Sequence, residues 1–356
     1  MKIINRYLTK ETTNSILLVM AGLLAMFSFF DLLQELDSIG KGSYGIGKII
    51  IFVLLSSPGH IYEVVPVAVL IGTMYALGNM SRNSELIIMR VSGMSILKIG
   101  ASLIKVGLIF ALITFVVGEL VTPYSEKVAQ RMRIKATDSV VAQDFRSGFW
   151  VKDGNSFVNV EEVLPDAELV NIHIYKFNEK FELNSINNAK NGKFNGENWD
   201  LRNVIQTDLY GTQVKSKTFA NTNWQSLIRP ELLNVLLVVP EKMSAWNLYS
   251  YIGHLTKNKQ KTSRYEIALW AKIIYPIACA VMVLIALPFG FLQQRAGGIG
   301  TKIFAGIILG ILYQVMNRVF IHLGLLNDWS AFTSAIMPTF LFLVGGICML
   351  AWVESQ

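Results

Sequence analysis

Long stretches of this chain are apolar at nearly every position rather than at every second or every third to fourth, the pattern of helices surrounded by hydrocarbon. A helix rises about 1.5 Å per residue, so a hydrocarbon core of roughly 30 Å is crossed by about 20 mainly apolar residues. Six tracts meet that requirement, near 14–35, 49–79, 98–121, 267–292, 302–323 and 332–353. The second is over-long and is interrupted by Ser56, Ser57, Pro58, Gly59, His60 and Glu63. Its membrane part is expected to begin near Ile61, with the earlier portion a second, outward-projecting segment. Pro276 and Pro288 predict kinks in the fourth span. The first run, Ser15 to Leu33, is longer than a signal-peptide core and lacks a small-x-small cleavage site, so it reads as an uncleaved anchor.

Between the third and fourth spans the pattern changes to short strand-like runs, at Phe149–Lys152, Phe157–Glu161, Val170–Phe177, Phe181–Asn187, Trp199–Leu209 and Gln213–Trp224. Turn formers such as Asp153-Gly154-Asn155 and Asn195-Gly196-Glu197 separate them. Close spacing without intervening helices favours a small antiparallel sandwich. After it, Trp246, Tyr249, Ile252 and Leu255 form one stripe of an amphipathic helix, lying at the outer membrane interface or packing on the β domain. The resulting division is 1–122 for the first three spans, 123–243 for the β domain, 244–265 for the amphipathic helix and 266–356 for the last three spans.

Composition agrees with this layout, with 52% hydrophobic and 16% charged residues over 356 positions. The net charge of +7 does not point to nucleic acid, because the positive residues flank apolar runs and no basic stretch is interleaved with stacking aromatics. The charges report orientation instead. Lys2, Arg6 and Lys10 precede the first span, Arg82 and Arg90 lie between the second and third, and Arg295 and Lys302 precede the fifth. The loop around Asn327 to Trp329 carries Asp328 and no basic residue. Both termini are therefore expected in the cytoplasm and residues 123–265 outside, since long translocated domains escape the charge rule.

Enzymatic parts are missing from the pattern. His60, His173, His254 and His322 never take the i, i+4 spacing of a helical zinc pair, so no metal or other cofactor is expected in this chain. No Gly-x-Ser-x-Gly elbow occurs. Ala296-Gly297-Gly298-Ile299-Gly300-Thr301-Lys302 superficially mimics a phosphate loop but has Gly-Thr-Lys where Gly-Lys-Ser/Thr is required. Cys279 and Cys348 fall inside apolar tracts and read as inert core thiols. Any energetic work needs a partner that binds the nucleotide.

Residues 82–95, from Arg82 through Glu85, Leu86, Met89 and Arg90 to Gly93 and Ser95, are too short and too charged to cross, yet strongly apolar for an exposed loop. Asn83 or Ser84 is suited to cap a helix, Glu85 suits its positive dipole end, and Gly93 supplies a stop. The resulting short helix serves either to couple the spans to a cytoplasmic ATPase or to rest on lipid headgroups.

These residues, in this order, resemble the LptF/LptG (YjgP/YjgQ) permeases of the lipopolysaccharide export machine, on the LptG side of that family. The likeness runs nearly end to end. It rests on Gly42-Ser43-Tyr44, Ser84-Glu85-Leu86, Ser92-Gly93, Trp150 with Lys152-Asp153-Gly154-Asn155, Phe157-Val158, Arg264-Tyr265 and Lys272 with Pro276. The resemblance implies an α-helical polytopic membrane protein of six transmembrane helices with an inserted periplasmic all-β, jellyroll-like domain. It implies a non-catalytic subunit in the bacterial inner membrane that pairs with LptF and is driven by a cytoplasmic LptB dimer, which binds ATP and Mg. LptC would join through its own span and jellyroll, and LptA would continue the bridge. Lipopolysaccharide would enter laterally from the outer leaflet of the inner membrane into a cavity lined partly by spans one and five.

Carried across by motif, Glu85 would meet a basic residue of the ATPase groove with Arg82, Leu86, Met89 and Arg90 beside it. Some family members bear lysines near the outer end of span one that hold lipid A phosphates, whereas this chain has Asp31, Glu35, Asp37 and Ser38 with Lys41 as the one base there. The phosphate contact is then expected at Lys41, at Arg131 and Arg133, or on the partner subunit, unless these are simply solvated charges. Phe27 and Phe30 on span one and Ile311, Val315 and Phe320 on span five are candidate acyl-chain contacts, or else face lipid or the helix core. Gly306 and Gly310 form a Gly-x-x-x-Gly pair suited to close helix approach at the dimer seam. A membrane-anchored assembly or sensing scaffold is the rival reading, but it has no need of an ATPase-docking helix. A lipoprotein-extracting permease would carry four spans with its insert after the first.

Overall fold

The computed structural model describes residues 2–137, 149–163, 168–178, 180–210, 213–226, 239–257, 260–291 and 299–355. Arg295 and the Ala296-Gly297-Gly298 part of the glycine-rich turn lie outside them. Among the described residues six helical stretches are long and apolar enough to cross a membrane.

The first is α1 (Lys2–Leu36) and the second is α2 (Ile46–Arg82). The expected break at Ser56 to Glu63 does not occur, and α2 is one helix of 37 residues, about 55 Å long. Pro58 and Pro66 lie inside it, and each removes a backbone donor. Neighbouring helices bond backbone oxygens in this stretch: Thr122 Oγ1 donates to the Pro58 carbonyl at 3.1 Å, while Tyr275 Oη and Gln314 Nε2 donate to the Glu63 carbonyl at 2.6 and 2.9 Å. Buried donors of this kind let a proline-bearing helix persist in lipid.

After the short α3 (Glu85–Val91), the third span runs as α4 (Ile96–Val116), a π-helical turn (Val117–Val121) and α5 (Thr122–Ala136) without a break. Residues 123–136 are therefore helix rather than the start of the β domain, whose first strand begins at Phe149. Pro123, which reads as a stop signal, lies directly after the π-helical turn and is accommodated within the continuous helix. The outward parts of α2 and α5 pack with the end of α1 through Tyr44, Ile49, Val53, Ala136 and Leu32.

Among the described residues six strands follow: β1 (Phe149–Asp153), β2 (Ser156–Val163), β3 (Leu169–Phe177), β4 (Leu183–Phe194), β5 (Trp199–Tyr210) and β6 (Gln213–Trp224). They form one antiparallel sheet in sequence order, not the two facing sheets of the expected sandwich. A row of residues drops out of the ladder in every pairing from β2 to β6, namely Glu161, Asn171, Lys190, Asn203 and Ala220. Asn171 and Asn203 take positive φ of 52° and 53° there. Inward positions step by three across this row, from Leu169 to Ile172 and from Leu201 to Val204. The register is the same on both sides of this row, so it is a kink shared across the strands and not a bulge with an extra residue, and it lets a single sheet fold over one face to enclose its core around Trp199, Leu201, Ile172 and Ile174.

The chain returns through a 3-10 turn (Pro240–Lys242), α6 (Ala245–Lys257), and the fourth span as α7 (Ser263–Ile274), a 3-10 turn (Tyr275–Ile277) and α8 (Ala278–Phe291). The fifth span is α9 (Ile299–Leu326) and the sixth α10 (Ala331–Glu354). The 3-10 turn at Pro276 is the irregularity expected in the fourth span.

Gly306 and Gly310 face α2 rather than a second subunit: a Cβ at Gly306 would lie 2.9 Å from Met74 Sδ, and one at Gly310 would lie 2.6 Å from Val67 Cγ1. The pair serves close approach within the chain. On α6, Leu248 is buried against Met243 and Ala268 and Leu255 is also buried, while Trp246 and Tyr249 are exposed, so the expected single stripe is divided between two faces.

Candidate functional site

Two regions carry the expected site residues, one at each end of the bundle. At the end where α1 begins, the seven residues of α3 form a helix that leaves α2 through Asn83 and Ser84. Ser84 adopts a left-handed φ of 60° and its side chain makes no capping bond, so the cap expected there is absent. Gly93, at φ +84°, provides the stop, with its amide bonded to the Arg90 carbonyl and that of Met94 to the Met89 carbonyl.

The helix has two apolar faces. Leu86 and Met89 are 2% and 7% exposed and belong to the main core with Leu77, Ile99 and Leu287. Ile87, Ile88 and Val91 stand 62%, 62% and 84% exposed. The expected pair Leu86 and Met89 thus anchors α3, and the free apolar surface is made by three residues that the sequence reading passed over. Glu85 accepts from Tyr7 Oη at 2.9 Å and from Asn83 Nδ2 at 3.4 Å. Arg82 donates to Asn79 Oδ1 at 3.3 Å, and Arg90 is exposed in the last turn. A rigid support, a carboxylate at the rim and an unpartnered apolar patch are the parts of a docking surface.

At the opposite end, Arg133 on α5 places Nε 3.0 Å from Glu35 Oε2 on α1, and Tyr44 Oη donates to the same oxygen at 3.0 Å. Burial and the Glu35 carboxylate push the Tyr44 hydroxyl well above the usual tyrosine range, so it remains a donor. The guanidinium also lies 5.6 Å from the Phe52 ring centroid. Arg131 is half-buried two positions away, on a different face of α5. Lys41 is exposed in the turn after α1.

Phe27 stacks on His60 at 5.3 Å, and His60 Nε2 lies 2.5 Å from Asp31 Oδ2, which pins α1 to α2. That pair went unread in the sequence, where Asp31 and His60 figured separately. Phe30, Ile311 and Val315 are 50%, 58% and 49% exposed on the outer faces of α1 and α9, which both pack on α2. Phe320 is half-buried, its ring 6.3 Å from that of Trp329.

The α6 segment is held to the third span. Glu119, in the π-helical turn, accepts the amides of Ala245 at 2.8 Å and Trp246 at 3.4 Å, and Ser244 Oγ accepts that of Asn247 at 3.1 Å. The side chain of Lys272 donates to the Met243 carbonyl, and Lys242 pairs with Glu126 at 3.3 Å.

The family model for lipopolysaccharide export system permease LptF/LptG matches residues 6–352. The chain is 31% identical over 355 residues to the lipopolysaccharide export system permease protein LptG of Haemophilus influenzae, covering 99% of this chain and 98% of that protein. It is 30% identical over 351 residues to the protein of the same name from Escherichia coli K12, covering 98% of each.

Proposed function

The chain belongs to the LptF/LptG family of lipopolysaccharide export permeases, a multi-pass inner-membrane protein, and on that premise we propose that it is the LptG-type half of an ATP-driven exporter. It works as a heterodimer with LptF, extracts lipopolysaccharide from the outer leaflet of the inner membrane and passes it toward a periplasmic bridge of LptC and LptA. Hydrolysis takes place in a cytoplasmic LptB dimer, which holds the ATP and Mg, and this chain does no chemistry itself. Both termini and α3 lie in the cytoplasm and the β-sheet in the periplasm. The named relatives support the substrate, since both are called lipopolysaccharide export permeases.

The observation that carries the mechanical part is the division of α3 into two faces. Leu86 and Met89 lock the helix into the core of the bundle, so a push on Ile87, Ile88 and Val91 is delivered to α2 and α4 rather than absorbed locally. Glu85, at the rim, supplies the charge that sets the register of an ATPase groove with a basic wall.

On the substrate side, Phe30, Ile311 and Val315 offer apolar surface for acyl chains. Arg133 is already neutralised by Glu35, so Lys41 is the better cation for a lipid A phosphate in this chain, with the partner subunit supplying the rest.

The test is purification of the tagged full chain in mild detergent with identification of its partners and bound lipid. An LptF-like permease, an ATPase and lipopolysaccharide are expected, and repeated recovery of a lone chain would sink the reading. Cysteines introduced at Glu85 and Asn155 should label from opposite faces of the membrane.

A further inference from the structure

A concave region whose lining includes no residue of α3 lies at the end of the bundle where α1 begins. A pocket of about 530 Å³ opens between α1 and α4, lined by Asn5, Arg6, Thr9, Lys10, Ser102 and Lys105. The α1 residues form two i, i+4 pairs, and Ser102 and Lys105 form an i, i+3 pair, so each helix turns one polar face to the same space. Three cations line this pocket and no carboxylate does. None of the ion pairs among the described residues engages Arg6, Lys10 or Lys105. The Thr9 and Ser102 hydroxyls donate to the carbonyls of Asn5 and Lys98, at 2.7 and 3.1 Å, so the three cations and the Asn5 side-chain amide are the groups that remain to meet a ligand.

Lys105 stands out because of its depth. It lies within an apolar span, 9 residues beyond the first residue of α4, about 14 Å along the axis. An exposed ammonium there is costly unless an anion or the interface receives it, and such a residue marks a site more often than an accident. Toward the membrane centre its stripe continues at i+4 and i+7 with Ile109 and Leu112, 55% and 66% exposed. A cationic pocket above a strip of exposed aliphatic side chains matches a molecule with an anionic head and hydrocarbon tails. A free phosphate or an acidic peptide would use only the upper half.

We propose that the pocket of Arg6, Lys10 and Lys105 binds the phosphate headgroup of an anionic phospholipid in the leaflet where α1 begins. That leaflet is cytoplasmic in the orientation proposed above, but the binding itself does not depend on the orientation or on the exporter reading.

The test uses the full chain with its co-purifying partners, incubated in vesicles of phosphatidylglycerol and phosphatidylcholine, re-extracted, and read by native mass spectrometry for retained lipid. Phosphatidylglycerol should be retained in preference to phosphatidylcholine. Lys105→Gln and Arg6→Gln should each lower its retention about fivefold, as expected for one cation near an anionic membrane surface. Lys98→Gln, an exposed lysine of α4 outside the pocket, should leave it unchanged. Should Lys105→Gln fail to fold, Arg6→Gln at an exposed helix end decides the matter. Unselective retention, equal losses in Lys98→Gln, or unchanged retention in both pocket variants would overturn the proposal, the last being the result expected if an acidic protein segment filled the pocket. Displacement of the lipid by inorganic phosphate would overturn the lipid as the ligand.

Discussion

Tyr7 on α1 donates a hydrogen bond of 2.9 Å to Glu85 at the start of α3, joining residues 78 apart in sequence. The bond adds a contact with α1 to the covalent links of α3 to α2 and α4 and to its core packing through Leu86 and Met89, so motion of α3 is shared with the first span. Tyr7→Phe removes the donor and keeps the ring. At an exposed site the loss should fall at the low end for hydrogen bonds in general, about 0.6 kcal/mol, and the coupled ATPase rate of the assembled complex should drop about threefold. Glu85→Lys removes the acceptor and inverts the charge that the proposed function directs at an ATPase, and on that proposal should abolish transport-coupled hydrolysis while membrane insertion stays intact. A full rate in Glu85→Lys would remove this carboxylate from the mechanism.

The two faces of α3 separate stability from docking. Ile88→Asp places a charge on a side chain that is 62% exposed, and it should leave folding unchanged while reducing recovery of the ATPase in co-purification at least tenfold, the scale of a lost interface anchor. Leu86→Ala hollows the core instead and should cost about 2–5 kcal/mol of stability. Thermal unfolding in detergent and pull-down yield, measured on both variants, should move in opposite pairings. Equal pull-down losses without a stability difference would contradict the assignment of faces.

What sequence could and could not reveal divides along the range of the interaction. The spans were legible because each is a local composition, and the Gly93 stop because it is a local conformation. The orientation of α3 was not, since Glu-Leu-Ile-Ile-Met-Arg-Val is apolar on both sides of a seven-residue helix and periodicity cannot say which side meets protein. Arg133 looked available to a phosphate until Glu35, 98 residues away, was found beside it. Asn171 and Asn203 fall within the strands expected at Val170–Phe177 and Trp199–Leu209, but their positive φ of 52° and 53° could not be read there, because it belongs to a row of unpaired residues that crosses the strands of the sheet.

Close helix packing supplies a sharper mutational contrast. A Cβ at Gly72 would lie 2.5 Å from Ile16 Cα, a backbone atom that cannot swing aside, whereas one at Gly345 meets nothing within 4 Å. Gly72→Ala should therefore push α1 from α2 and destabilise the protein by about 1–3 kcal/mol, visible as a lowered Tm in detergent. Gly345→Ala should leave Tm within error. Similar Tm values for the two variants would show that α1 does not pack on α2 at this distance.

Glu119 is the link between the third span and the segment that brings the chain back from the sheet. The π-helical turn at Val117–Val121 presses Gly118 to the Tyr62 ring, where a Cβ would lie 2.4 Å from Cδ2, and Glu119 reaches the first two amides of α6. With Ser244 accepting the third, the positive end of α6 has acceptors for donors that no intrahelical carbonyl can reach. Glu119→Ala leaves two of those donors without the carboxylate and should weaken the start of α6 by about 1 kcal/mol, the usual worth of a cap. Hydrogen exchange at residues 245–248 should then accelerate several-fold, since exchange there proceeds through local opening. Glu119→Gln keeps an acceptor oxygen and should retain most of the protection, which separates the hydrogen bond from the charge. If exchange in 245–248 stayed at its original rate in a folded Glu119→Ala protein, α6 would be held by Leu248 and Leu255 alone, and the third span would have no grip on the returning segment through this residue.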